Sequence, residues 1–140
     1  MAKGTEVINQ LAGIGLFSDL SSSQLEAVAH TFQEDSFPEG HRILRQGFGG
    51  SSFHIILDGE ASVQVAGKEI ARLARGEFFG ELAILLGEPP AADIVAIRPL
   101  RCLTLGGSNL QEFLTAHPTV MYRMLQMEAR RLHDAAQWRS

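Results

Sequence analysis

The chain has 140 residues, 45% of them hydrophobic and 20% charged, a size that suits one domain burying roughly two-thirds of its unfolded surface. Twelve basic residues against sixteen acidic ones give a formal charge of −4, so no broad positive field exists to gather the phosphates of nucleic acid. The single cysteine, Cys102, excludes an internal disulfide and a thiolate zinc site, and its place in the apolar alternation from Leu100 to Leu105 reads as that of a small buried hydrophobe.

The N-terminal residues Met1-Ala2-Lys3-Gly4-Thr5-Glu6 carry no apolar h-region, and no run approaches the ~20 apolar residues that span a bilayer. A cytoplasmic protein without a membrane partner is expected. Ile8, Leu11, Ile14, Leu16 and Phe17, interrupted by Gly13 and Gly15, suit a short helix followed by an irregular apolar segment. Ser21 and Gln24 form a capping box ahead of Leu25, Val28, Ala29 and Phe32, which predicts a helix over about 22–33.

From Phe37 the pattern changes to short β-branched and aromatic segments cut by glycine, the spacing of an antiparallel barrel or sandwich. Strands are expected at 41–45, 53–58, 60–65, 68–73, 92–98 and 100–105, with a tight hairpin turn at Ala66-Gly67. Their connections are too short for helical crossovers, which argues against a parallel sheet.

One segment breaks the strand period: Leu82, Leu85 and Leu86 follow Phe79-Gly80-Glu81 at helical spacing and Gly87 ends them, so a short helix opens at a glycine between strands. Ser108 and Gln111 read as a second capping box, and Pro118 suits the first turn of a last helix over about 118–137. Along that helix Met121, Met124, Leu125, Leu132, Ala135 and Ala136 make one apolar stripe, with Glu128 its polar interruption and Arg123, Gln126, Arg130 and Arg131 outside it. The stripe packs on the chain's own β core or forms a homodimer seam.

Gly80 and Glu81 at a helix start combine exposed backbone N–H groups with a carboxylate, which suits a ligand bearing both an anionic group and a hydroxyl. An acidic residue at a helix start also serves the dipole alone. The neighbours decide between these readings. Phe79 to Ala96 runs Phe-Gly-Glu-Leu-Ala-Ile-Leu-Leu-Gly-Glu-Pro-Pro-Ala-Ala-Asp-Ile-Val-Ala and closely resembles the phosphate-binding cassette of the cyclic nucleotide-binding domain family, F-G-E-L-A-L-L-x-x-x-P-R-x-A-T-V-x-A. Leu16-Phe17-Ser18-Asp19-Leu20-Ser21, Arg45-Gln46-Gly47 and Phe53 to Glu60 are similar to further segments of that family.

The resemblance covers about residues 7–137 and implies a mainly β fold: an antiparallel β-roll or jelly-roll (double-stranded β-helix) flanked by helices. Within a single domain over 1–140, N-terminal helices occupy about 7–34, the β-roll about 36–106 with the cassette at 79–92, and a B and C helix pair about 108–137. It also implies a regulatory module that senses cAMP, cGMP or a related small anionic ligand and signals through the C-terminal helix. Gly80 and Glu81 carry over as backbone donor and ribose-hydroxyl acceptor, with Leu82 beside them and the backbone amides of Ala91 and Ala92. The family's phosphate-binding arginine is here Pro90, and its threonine is Asp93.

Losing a charge-assisted bidentate contact costs about 1.5–3 kcal/mol or more, which lowers affinity roughly ten- to several-hundredfold. A replacement arginine comes from Arg72, Arg75, Arg98, Arg101, Arg130 or Arg131, or else all of these are solvated surface charges. His30, His41, His54, His117 and His133 show no metal-ligand spacing, and no nucleophile elbow is present, so neither catalysis nor a metal or other cofactor is expected. Two alternatives follow from Pro90 and Asp93 and from the position of Ser140. One is a domain kept for interaction or dimerisation; the other is the sensor part of a longer transcription regulator, with no nucleic acid bound by this chain alone.

Overall fold

The computed structural model describes residues 2–49 and 52–139. Helix α1 (Ala2–Ala12) leads through a 3-10 turn at Gly15–Phe17 to α2 (Ser22–Thr31). The capping box forms as expected: the Ser21 hydroxyl accepts from the Gln24 backbone N–H, and the Gln24 side chain accepts from the Ser21 N–H at 2.8 Å.

Eight strands follow among the described residues: β1 (Gln33–Phe37), β2 (Arg42–Leu44), β3 (Ser52–Asp58), β4 (Glu60–Val65), β5 (Lys68–Ala74), β6 (Phe78–Phe79), β7 (Asp93–Ala96) and β8 (Leu100–Gly106). All pairs are antiparallel, in one sheet of order β1-β8-β3-β6 and a second of order β2-β7-β4-β5. Between β6 and β7 lies α3 (Glu81–Leu86); after β8 come α4 (Leu110–Ala116) and α5 (Pro118–Arg139). The β4–β5 hairpin turns at Ala66 and Gly67, both at positive φ, the geometry whose twist matches that of the paired strands.

Two expectations need correction. The N-terminal helices are expected to reach about 34, yet Gln33–Phe37, which has no apolar alternation, forms β1, an edge strand held by β8 with mostly exposed side chains. Ser108 does not cap α4. It lies in a 3-10 turn, Gly107–Asn109, and α4 starts behind Asn109 with no side-chain cap.

Strand β3 explains the layering. Phe53, Ile55 and Leu57 face outward into a cluster with α1, α2, α4 and α5, while Ile56 enters a second cluster inside the roll with Leu44, Ala61, Leu73, Phe79, Ile94, Ala96, Leu100 and Cys102. A strand covered on both faces reads as a continuous apolar run, as β3 does from Phe53 to Leu57, and the one polar residue within that run, His54, is buried against Phe79 with Nδ1 bonded to the Thr104 hydroxyl at 3.0 Å. Phe78 and Phe79 divide between the two clusters in the same way, so β6 anchors the start of α3 in both cores at once.

Candidate functional site

The glycine that opens α3 is required by the backbone. Gly80 has φ +92°, and a Cβ there would run into the carbonyl oxygen of Ser52 at the start of β3. The far end of the segment leans on the same β2–β3 connection. The Pro90 carbonyl accepts from Gly47 N–H at 2.8 Å, and Asp93 accepts from Gln46 N–H at 2.6 Å. Gln46 in turn reaches the β4–β5 turn, its side-chain oxygen accepting from Ala66 N–H at 3.1 Å.

Pro90 is therefore buried and bonded, and Asp93 is no bare charge: Arg42 Nε stands 3.6 Å from its second oxygen. Ala91 is exposed and Ala92 half-buried just ahead of β7, while Leu82 projects outward, 56% exposed.

Glu81 is the buried acid of the segment, 2% exposed. Arg131 of α5 donates through Nη1 to Glu81 Oε2 at 3.3 Å and to Glu128 Oε1 at 3.2 Å, and through Nη2 to the Phe78 carbonyl at 2.9 Å. Its guanidinium carbon also lies 4.5 Å from the centre of the Phe78 ring, a cation–π contact. Burial, then the neighbouring Glu128 carboxyl, push the Glu81 pKa up to about 8, against the pull of its own backbone N–H and of Arg131.

This arrangement corrects the reading of α5. Val120, Met124 and Met127 continue into Glu128 and Arg131 as the inward face, whereas Met121, Leu125 and Leu132 of the expected stripe are 41%, 63% and 73% exposed. Of the six arginines considered, Arg131 reaches the site, but it holds Glu81. Arg72 pairs with Glu69 and Glu60, Arg98 with Glu60, and Arg101 with Glu34. Arg42, Gln46 and Glu128 are the participants that sequence reasoning did not assign; only the i, i+3 spacing of Glu128 and Arg131 hinted at a pair.

A cleft of about 410 Å³ opens beside α3, lined by Ala83, Ile84, Gly87, Glu88, Pro89 and Pro90 with Gly49 and Gly107. It shares Pro90 with the expected ligand segment and none of Gly80, Glu81, Leu82, Ala91 or Ala92.

Residues 34–117 match the model of the cyclic nucleotide-binding domain. The chain belongs to that family. A cyclic nucleotide-binding domain from Methylobacillus flagellatus superposes on 97% of this chain with a TM-score of 0.81 at 26% identity, over 83% of its own length. The catabolite activator protein of Thermus thermophilus covers 88% of this chain with a TM-score of 0.78 at 26% identity, over 60% of its own.

A cGMP-dependent protein kinase of Eimeria tenella is 34% identical over 119 residues, which are 85% of this chain but 12% of the kinase. The chain thus spans only a small part of that relative's length. The antiparallel roll with flanking helices is the shared fold, and the segment from Phe79 to Ala96 lies within the matched residues 34–117. Among the described residues no helix is long and apolar enough to cross a membrane.

Proposed function

We propose that this domain is a regulatory sensor whose cassette takes a small ligand of the cyclic nucleotide class at reduced affinity and reports it through α5. The observation that carries the reading is the bond between Arg131 of α5 and Glu81. The family resemblance gives Glu81 the part of ribose-hydroxyl acceptor, so on this reading a ligand on that carboxylate and the seat of α5 draw on the same oxygens. Any difference in affinity between a seated and an unseated α5 is then a signal.

The reduced affinity rests on Pro90, which offers neither guanidinium nor N–H, and on Asp93, whose acceptors already hold Gln46 N–H beside Arg42. Isothermal titration with cAMP and cGMP tests the reading, with the double variant Pro90→Arg/Asp93→Thr as comparison. Binding roughly ten- to several-hundredfold tighter in the variant is expected, from the return of one bidentate contact. No heat from either nucleotide at millimolar concentration, in either protein, would remove cyclic nucleotides as the input.

A second reading, an association domain, is favoured by one observation: Met121, Leu125 and Leu132 stand exposed at i, i+4 and i+11 along α5. Sedimentation velocity over a wide concentration range decides it, a strict monomer throughout being the result against it.

A further inference from the structure

We propose that Glu128 sets the proton state of Glu81: the two carboxyls share one proton beneath Arg131, so the cassette acid is neutral until a ligand hydroxyl or rising pH removes that proton. The first ground is an unsatisfied atom. Glu128 Oε2 is buried and has no donor, although Glu128 Oε1 is held by Arg131. A buried carboxylate oxygen without a donor costs the desolvation of that group, so such atoms find partners.

The second ground is what surrounds it. Arg131 Nη1 reaches both carboxyls, Glu81 Oε2 at 3.3 Å and Glu128 Oε1 at 3.2 Å, so the two acids converge on one nitrogen, and two carboxyl groups so placed bond each other only when one carries a proton. One Arg131 cation faces two acids here, and a single shared proton makes the cluster neutral. Its direction agrees with the upward shift of Glu81 to about 8.

Among the described residues, the elements packed most closely on α3 and α5 bring no competing charge. α3 rests on β3, whose His54 turns to Phe79 and Thr104, and on the 3-10 turn Gly107–Asn109, which holds no titratable group. α5 rests on the 3-10 turn Gly15–Phe17, which has none, and on α4, where His117 bonds the Phe113 carbonyl and Glu112 faces solvent. Asp19 is engaged by Arg123.

A shared proton changes what Glu81 accepts. In the free domain Glu81 and Glu128 satisfy each other. A hydroxyl donor that takes a Glu81 oxygen displaces the shared proton to solvent, so binding of such a ligand releases up to one proton and weakens as pH falls. This second consequence rests on the function proposed above; the first does not.

Carbon-13 titration of the glutamate side-chain carboxyls in the free protein tests the sharing directly. Glu81 titrating near pH 8 is expected, and in Glu128→Gln that step moves down, because one acid is gone and an amide donor replaces it, while burial, the larger cause, still holds it above the ordinary carboxylate range. Ordinary titration of both Glu81 and Glu128 in the native protein overturns the proposal, whatever the variant does. Calorimetry with cAMP in buffers of different ionisation enthalpy then reads the proton released. A cyclic nucleotide that binds without proton release, while the free protein shows the step near pH 8, overturns the link to Glu81 alone; absence of any binding leaves the shared proton standing and removes the ligand class.

Discussion

Gly80 shows how a residue expected for a ligand is explained by the chain itself. Its left-handed conformation and the Ser52 carbonyl leave no room for a side chain. Gly80→Ala is therefore expected to cost about 2 kcal/mol or more, the left-handed penalty of ~1–2 kcal/mol plus the shift of β3 that relieves the collision. An unfolding free energy from urea titration within about 0.5 kcal/mol of native, the range of neutral surface changes, would refute this. Arg131 is the opposite case. It was one of six arginines with nothing in the sequence to choose among them, because the bond to Glu81 spans 50 positions and no local pattern reports it. Arg131→Ala removes the donor from two acids and from the Phe78 carbonyl, and about 1–3 kcal/mol of stability should go with it. Loss of α5 amide protection from hydrogen exchange is the matching structural readout.

At the scale of elements, the helix cap at Ser21, the β4–β5 turn and the glycine-bounded α3 were legible because each is decided by residues a few positions apart. β1 was not, since an exposed edge strand needs no apolar alternation and is held by β8, far along the chain. The face of α5 was misjudged for a related reason. Hydrophobicity alone grouped Met121, Leu125 and Leu132 with Met124, but the partners of this helix include the Glu81 acid and the Phe78 carbonyl, so the inward face carries Glu128 and Arg131. Buried Met124→Ala should then cost about 2–4 kcal/mol, by the usual price of emptying a core site. Exposed Leu125→Ala should stay within about 0.5 kcal/mol. Equal costs from chemical denaturation would restore the stripe first read from the sequence.

Over the whole molecule, two buried groups act on stability in opposite directions. His54 is held down to about 4 from 6.5 by burial, so the fold favours its neutral form: that stability is complete above about 6.5 and is lost as pH falls toward 4. Glu81 is pushed up from 4.5 to about 8, so its neutral form is favoured, with stability complete below 4.5 and lost as pH rises through 8. Between 4.5 and 6.5 the two slopes cancel, which predicts a plateau there and a decline from 6.5 toward 8 from this pair of groups. Thermal melts across pH 4–9 check it, and Glu128→Gln should shrink the alkaline decline, burial of Glu81 keeping the remainder, while leaving the acid limb in place. An alkaline limb unchanged in that variant would place its origin elsewhere.

By itself the sequence determined the succession of helix, antiparallel roll and helix, together with the family resemblance of the segment from Phe79 to Ala96, because turn glycines, capping residues and strand alternation act over a few residues. Only the tertiary structure decided which charges meet. Pro90 and Asp93 are absorbed into bonds with Gly47, Gln46 and Arg42, and Glu81 is held between Glu128 and Arg131. The physical reason is that a carboxyl group's state follows from burial and from the neighbours that distant segments bring to it. The residue type at position 81 states neither.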